Sequence, residues 1–284
     1  MGDMADSIIQ KAKRHSLWGD FKNQTSSFLD SGSRKRTLAV LILVFVIQYK
    51  VIWSLPILKW DLPGNLPVYL ARLTSMASSL FFIWLFAPNA LKRFRIGFKG
   101  KSSAVVLGAL MAFLTIGYFS ARNQNLAFLQ LMDGAVFSLF IGLDEEFFDR
   151  GLIFGLLERH GTEFALAVSA LIFGGEHFMN FLSGEDSFDY VLGHMVSAAS
   201  YGYLMAAMML LFRNIWVPAI VHAASDFSWV IMDPKQSSTI TLGGTDWRNI
   251  LLTSLVHIAL ARFMIYSIRR APNLNSVIGV RHCG

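Results

Sequence analysis

A chain of 284 residues that is 54% hydrophobic, carries 24 Phe and is only 15% charged is too apolar for an ordinary soluble domain, where about a quarter of the residues are charged. The formal charge of +6 does not indicate nucleic acid, because Lys and Arg gather at the ends of apolar runs, where anionic lipid headgroups lie. The single cysteine, Cys283, excludes an intrachain disulfide and any paired-thiol metal motif.

The first 36 residues are largely polar, with Arg34-Lys35-Arg36 just ahead of the first apolar run, and read as an N-terminal arm (1–36) rather than a cleavable signal peptide. Within it, Ile8, Ile9, Leu17, Trp18, Phe21, Phe28 and Leu29 are loosely spaced, which suits either an interfacial helix or a flexible arm. Met1-Gly2 is not a myristoylation signal, since Asp6 stands where Ser or Thr is required, and Cys283-Gly284 is not a prenylation box.

Spanning the hydrocarbon takes about 20 apolar residues, and eight runs approach that length: 37–55, 68–87, 103–120, 127–157, 164–182, 190–212, 214–232 and 249–268. The fourth is too long for a simple span, so it must tilt, break or project from the membrane. Pro56, Pro63, Pro67 and Pro88 fall between runs, where they end helices without stranding an amide in lipid, and Asp233 to Asp246 reads as an external loop. The expected fold is all-α: a polytopic transmembrane helical bundle of about eight spans, one membrane domain over 37–270, with a C-terminal tail at 271–284.

Basic residues favour cytoplasmic loops. Arg34-Lys35-Arg36, the loop with Lys92, Arg93, Arg95, Lys99 and Lys101, and Arg159, Arg213, Arg269 and Arg270 can all lie on that side in an eight-span protein with both termini cytoplasmic, whereas the loop with Glu185, Asp186 and Asp189 is acidic and falls outside.

Ionisable groups within spans cost about 2.5–3.5 kcal/mol each on insertion scales and mark function by default. The fourth run holds Asp144, Glu145, Glu146, Asp149 and Arg150, the fifth Glu176 and His177, and the seventh His222 and Asp226. Glu146 with Arg150, Phe173 with His177, and His222 with Asp226 are four apart and share helix faces. At about 1.5 Å per residue, Glu145 lies roughly 18 Å from the inner end of its span, His177 roughly 20 Å and His222 roughly 12 Å. Three helices thus bring acid and imidazole to similar depth. His194 falls near the outer end of its span, outside this cluster. A carboxylate that takes a proton from water, with imidazoles beside it, is the minimum for hydrolysis.

Blander readings accompany these. Glu146 with Arg150 can be a purely structural ion pair, Phe173 core packing, His160 a solvated loop residue and His257 a helix-packing contact; Asp144, Asp149 and Glu176 can be further site acids or snorkelling groups.

Glu145-Glu146-Phe147-Phe148-Asp149-Arg150 resembles the EExxxR motif of the CAAX-processing and bacteriocin-processing (CPBP) peptidases, Phe173-Gly174-Gly175-Glu176-His177 resembles their FxxxH motif, and His222 followed by Asp226 their HxxxB motif, where B is Asn or Asp. The three occur in family order, each on its own span, so the resemblance covers about Asp144 to Asp226. It implies an intramembrane endopeptidase in which Glu145 activates water with His177 assisting, His222 and Asp226 stabilise the oxyanion, and Arg150 holds Glu146. Many members carry Asn where Asp226 stands, and an ionised Asp cannot donate to an oxyanion; Asp226 is then protonated, or orients His222, or ligates a metal. Asp149 stands where an apolar residue often precedes the Arg, and its charge would strengthen cation binding.

A divalent metal such as Zn, held by His177, His222, Glu145 and Asp226 with water in an open position, stays open as a cofactor, although the HExxH arrangement is absent. The resemblance further implies a peptide or lipid-modified protein as substrate, the lipid bilayer and not nucleic acid as surroundings, and a bacterial plasma-membrane protein with its site accessible from the cytoplasm. Two alternatives use the same residues: a non-cleaving scaffold or bacteriocin-immunity factor, and a cation- or proton-coupled transporter, although no paired repeats are visible.

Overall fold

The computed structural model describes residues 34–48, 66–95, 97–182, 184, 186–231 and 245–270. Most of the N-terminal arm, Pro56, Pro63, Glu185, most of the 233–246 loop and the tail at 271–284 with Cys283 lie outside the described residues. Every regular element among the described residues is helical: α1 (Arg34–Val46), α2 (Leu66–Phe86), α3 (Lys101–Gln124), α4 (Phe128–Glu146), α5 (Phe154–Leu157), α6 (Thr162–Glu176), α7 (Phe178–Leu182), α8 (Phe188–Phe212), α9 (Trp216–Val230) and α10 (Trp247–Arg270), with short 3₁₀ and π segments between some of them.

Among the described residues, five stretches are long and apolar enough to cross a membrane: Leu66–Phe86, Lys101–Arg122, Thr162–Leu182, Phe188–Phe212 and Trp247–Arg270. Large apolar side chains face outward along them, among them Leu107, Leu114, Leu171, Leu255 and Phe263, as expected where the surrounding solvent is lipid. α9 is only 15 residues long, and α4 carries Asp133, Asp144, Glu145 and Glu146. The chain is a helical integral membrane protein.

The long fourth run does not stay one rod. After Glu146 the helix widens into a π turn over Phe147–Ile153, where the Phe154 N–H bonds the Asp149 carbonyl five residues back. Such wide turns recur at functional sites. α5 then resumes for one turn before a 3₁₀ segment at Glu158–His160.

The run 164–182 is also interrupted. α6 closes at Glu176, and the His177 N–H bonds the Gly174 carbonyl at 3.3 Å, three residues back, before α7 restarts at Phe178.

The basic loops meet at one end of the bundle. Arg93 pairs with Glu158 at 2.5 Å, Arg159 donates to the Phe86 carbonyl at 2.9 Å and Arg269 pairs with Glu163. Asn214 donates to the Gly97 carbonyl at 2.9 Å and accepts from the Trp216 N–H at 2.8 Å, which fixes the turn that aims α9 back into the bundle. His160 is not a solvated loop residue: it hydrogen-bonds Thr37 at 2.8 Å and packs edge-on against Phe164. Partial burial, with Arg159 and Arg34 nearby, holds its imidazole below the usual histidine range.

α8 is the most buried of the spanning stretches and packs between α6 and α10, while α9 packs on α4 and α3. Two glycines set these distances. A Cβ on Gly142 would stand 2.7 Å from the Ala219 carbonyl oxygen, and one on Gly174 2.5 Å from that of Met195. Gly142 lets α4 meet α9 and Gly174 lets α6 meet α8, so both govern how closely the acid and imidazole helices approach.

Candidate active site

Glu145 is placed at the last turn of α4, at the lip of the π segment, and its side chain keeps 27% exposure while its neighbour Glu146 has none. It opens onto a cavity of about 210 Å³ lined by Gln48, Arg72, Ser75, Asp144, Glu145, Phe148, Asp149, Glu176, His177, Met179 and Asn180. Glu145 and His177, from α4 and from the break after α6, therefore share one chamber.

The break orients His177. Its backbone N–H is used on Gly174, and its Nδ1 lies 2.9 Å from the Phe173 carbonyl. A carbonyl only accepts, so Nδ1 carries a proton and, in the neutral ring, Nε2 keeps its lone pair.

His222, on α9, is buried behind Glu145. Its Nε2 is 3.6 Å from Glu145 Oε2 and 3.4 Å from Asp226 Oδ2, and its Nδ1 is 3.0 Å from Glu146 Oε1. Glu146 is thus not only the partner of Arg150, whose Nη1 is 3.2 Å away; it also holds the site imidazole. The Arg150 guanidinium is fully buried, 3.9 Å from Asp149 and stacked 4.3 Å from the centre of the Phe173 ring. Phe173 in turn meets His177 and His222 edge-on, at 5.3 and 5.8 Å between ring centres. Core packing alone does not describe it: the ring is the plate against which one guanidinium and two imidazoles are set.

One expectation is corrected: His194 does belong to the cluster, with its ring 4.3 Å from that of His177, where α8 packs on α6. Of the two readings open for Asp144, site acid or snorkelling group, its contacts favour the first. It is 3.1 Å from Arg72 and accepts from Ser75, whose hydroxyl also takes a bond from Gln48. Asp149 and Glu176 both line the chamber, and neither Asp149 oxygen has a hydrogen-bond partner. His257 lies apart, bonded to Ser200 at 3.1 Å and packed on Tyr201.

Arg72 is the residue that motif reading missed. It reaches Glu145 Oε1 at 3.5 Å from α2. Its signal was present in the sequence, because an arginine within an otherwise apolar run is as costly as the acids opposite it.

Among the described residues, no group of three or more His, Cys, Asp or Glu side chains is placed so that it could hold a metal ion.

Residues 127–228 match the family model described as Type II CAAX prenyl endopeptidase Rce1-like. Comparison with curated proteins and with solved structures gives no match. The matched segment runs from the start of α4 almost to the end of α9 and contains all three motif helices; Gln48, Arg72 and Ser75 lie outside it.

Proposed function

With residues 127–228 assigned to the type II CAAX prenyl endopeptidase Rce1-like family, a family of proteases, we propose that the chain hydrolyses a peptide bond of a membrane-associated or lipid-modified protein. The observation that carries this reading is the Glu145 carboxylate, accessible in a polar chamber inside an apolar bundle, with His177 on the same chamber and His222 3.6 Å behind it.

Glu145 takes a proton from a water in the chamber, and the resulting hydroxide attacks the scissile carbonyl. The lone pair on His177 Nε2 orients that water. His222, with Asp226 beside it, faces the oxygen on which negative charge develops, and Glu146 keeps the imidazole turned toward it. The proton held by Glu145 then passes to the leaving amine, which completes the cycle without a covalent intermediate. No step requires a metal.

A second feature suits a substrate with an apolar part. A groove of about 310 Å³ between α1 and α6, lined by Leu38, Leu41, Ile42, Phe45, Ile172 and Gly175, shares Glu176 with the chamber. A chain lying in the lipid reaches the site along it. The clustering of basic loops at one end supports that end as the cytoplasmic one.

The test uses the purified full chain in liposomes with a quenched fluorescent peptide carrying a C-terminal farnesyl-cysteine motif, with and without chelator. Cleavage that survives chelation and disappears in Glu145→Gln supports the reading. Cleavage abolished by chelator and restored by Zn replaces the glutamate mechanism with a metal one. A cellular phenotype that survives Glu145→Gln, with no cleavage by either protein, leaves the scaffold role.

A further inference from the structure

We infer that Arg72 is the positioning residue of the Glu145 carboxylate, an assignment that rests on Glu145 being the base. A guanidinium within a spanning helix is costly unless something specific holds it. Arg72 is held. Its Nη1 lies 3.1 Å from Asp144 Oδ2 and 3.5 Å from Glu145 Oε1, with only 15% of its side chain exposed.

Asp144 is fixed in turn. Ser75, three residues along α2 from Arg72 and on the same face, donates to Asp144 Oδ1, and Gln48, two residues past α1, donates to Ser75. The chain Gln48, Ser75, Asp144, Arg72 therefore runs along the chamber wall and ends on the carboxylate.

The two oxygens of Glu145 consequently have different neighbours: Oε1 faces Arg72 at 3.5 Å and Oε2 faces His222 at 3.6 Å. Both separations are ion-pair distances, longer than a strong hydrogen bond. The charges fix where the carboxylate points, while its lone pairs stay available to a water. A direct bidentate clamp would consume them. Asp144 supplies the difference: by taking the closer contact with the guanidinium, it keeps Arg72 from closing fully on Glu145. The family match begins only at residue 127, so this support comes from residues that precede it in the chain.

The experiment compares Arg72→Gln, Arg72→Lys and Ser75→Ala in the full chain, in liposomes, with the farnesylated peptide. Misplacing the base lowers kcat about 100-fold in Arg72→Gln, with KM within roughly threefold of the parent, and Arg72→Lys recovers at least about a tenth of the parental kcat by keeping the charge. Ser75→Ala, a small change that leaves every charge in place, lowers kcat by less and keeps the thermal unfolding temperature.

A second readout needs no turnover. Labelling of Glu145 by dicyclohexylcarbodiimide, followed by mass spectrometry, rises several-fold in Arg72→Gln but not in Arg72→Lys, because a carboxylate freed of its guanidinium is open to the reagent. Unchanged kcat, a rise in KM at constant kcat, or unchanged labelling overturns the assignment. Absence of cleavage by the parent protein counts against the peptidase reading alone, and labelling then decides the role of Arg72.

Discussion

His222 Nδ1 lies 3.0 Å from Glu146 Oε1, and that same oxygen is 3.2 Å from Arg150. One carboxylate, with no solvent exposure, thus serves a guanidinium and a site imidazole together. The pairing Glu146 to Arg150 is legible as a structural ion pair on one helix face, but its second partner arrives from α9, 76 residues away. The arrangement matches a carboxylate–histidine pair in which the acid fixes the ring so that the opposite nitrogen faces the reacting atoms.

Separate losses are expected from two substitutions of Glu146. Glu146→Gln keeps the shape but weakens the hold on His222, and kcat falls on the order of 100-fold with little change in KM. Glu146→Ala leaves Arg150 buried with only Asp149, 3.9 Å away, which costs about 3–5 kcal/mol of stability. Steady-state kinetics and thermal unfolding in detergent separate the two; equal stability in both variants would show that Glu146 does not support Arg150.

Asp226 presents a carboxylate oxygen 3.4 Å from His222 Nε2, where the family often has an amide. An amide donates to an oxyanion and an ionised carboxylate does not. Asp226→Asn is therefore expected to keep cleavage within about tenfold of the parent, whereas Asp226→Ala, lacking either group, loses on the order of 100-fold, as for removal of one oxyanion contact. Asn and Ala variants that are equally inactive would tie Asp226 to the charge of His222 instead.

Much of this site could be read from spacing because the acids and imidazoles are expensive where they stand. Glu145, His177 and His222 each announce themselves as polar residues in apolar runs, and periodicity puts them at a common depth. Two kinds of information were not local. Depth counted along single helices puts His194 too far out, because its contact with His177 depends on how α8 packs against α6. Arg72 and Ser75 join the site only through the packing of α2 on α4 and the π turn, which no motif encodes. The excess length of the fourth run required a tilt, a break or a projection; the π turn at Phe147–Ile153 is the break, and it falls on the motif itself.

At the loop end of the bundle, His160 offers a pH-dependent contact. Burial, Arg159 and Arg34 lower its proton affinity in the folded protein, so the unfolded chain binds the proton more readily. By linkage, the contribution is present above about pH 6.5, the unperturbed value, and is lost as pH falls through that point toward the folded value. The effect is small, because the residue remains partly exposed and surface electrostatics are screened. Thermal unfolding at pH 5.5 and 7.5, relative to His160→Gln, measures it; the variant is expected to lose part of the parent's acid sensitivity. A variant with the full acid sensitivity would place that sensitivity elsewhere.

Gly142 tests whether helix spacing, and not only side-chain chemistry, sets the site. It lies three residues before Glu145, and a methyl group there would meet the Ala219 carbonyl oxygen at 2.7 Å and the Ala223 nitrogen at 2.8 Å. Both are backbone atoms of α9, so no rotamer change relieves the clash and α4 must move away from α9. Overpacking of this kind costs about 1–3 kcal/mol. The same movement carries Glu145 and Glu146 away from His222, which α9 holds. Gly142→Ala is therefore expected to lower kcat more than tenfold, given that a shift of about 1 Å at a reacting group can cost 100-fold, while the chain still folds. Gly134→Ala, two turns earlier, meets the Ile231 side chain at 2.7 Å instead. A side chain can yield, so this variant should lose some stability and keep most of its turnover. If both glycine variants lose activity in proportion to stability alone, the spacing of α4 and α9 has no special hold on the chemistry.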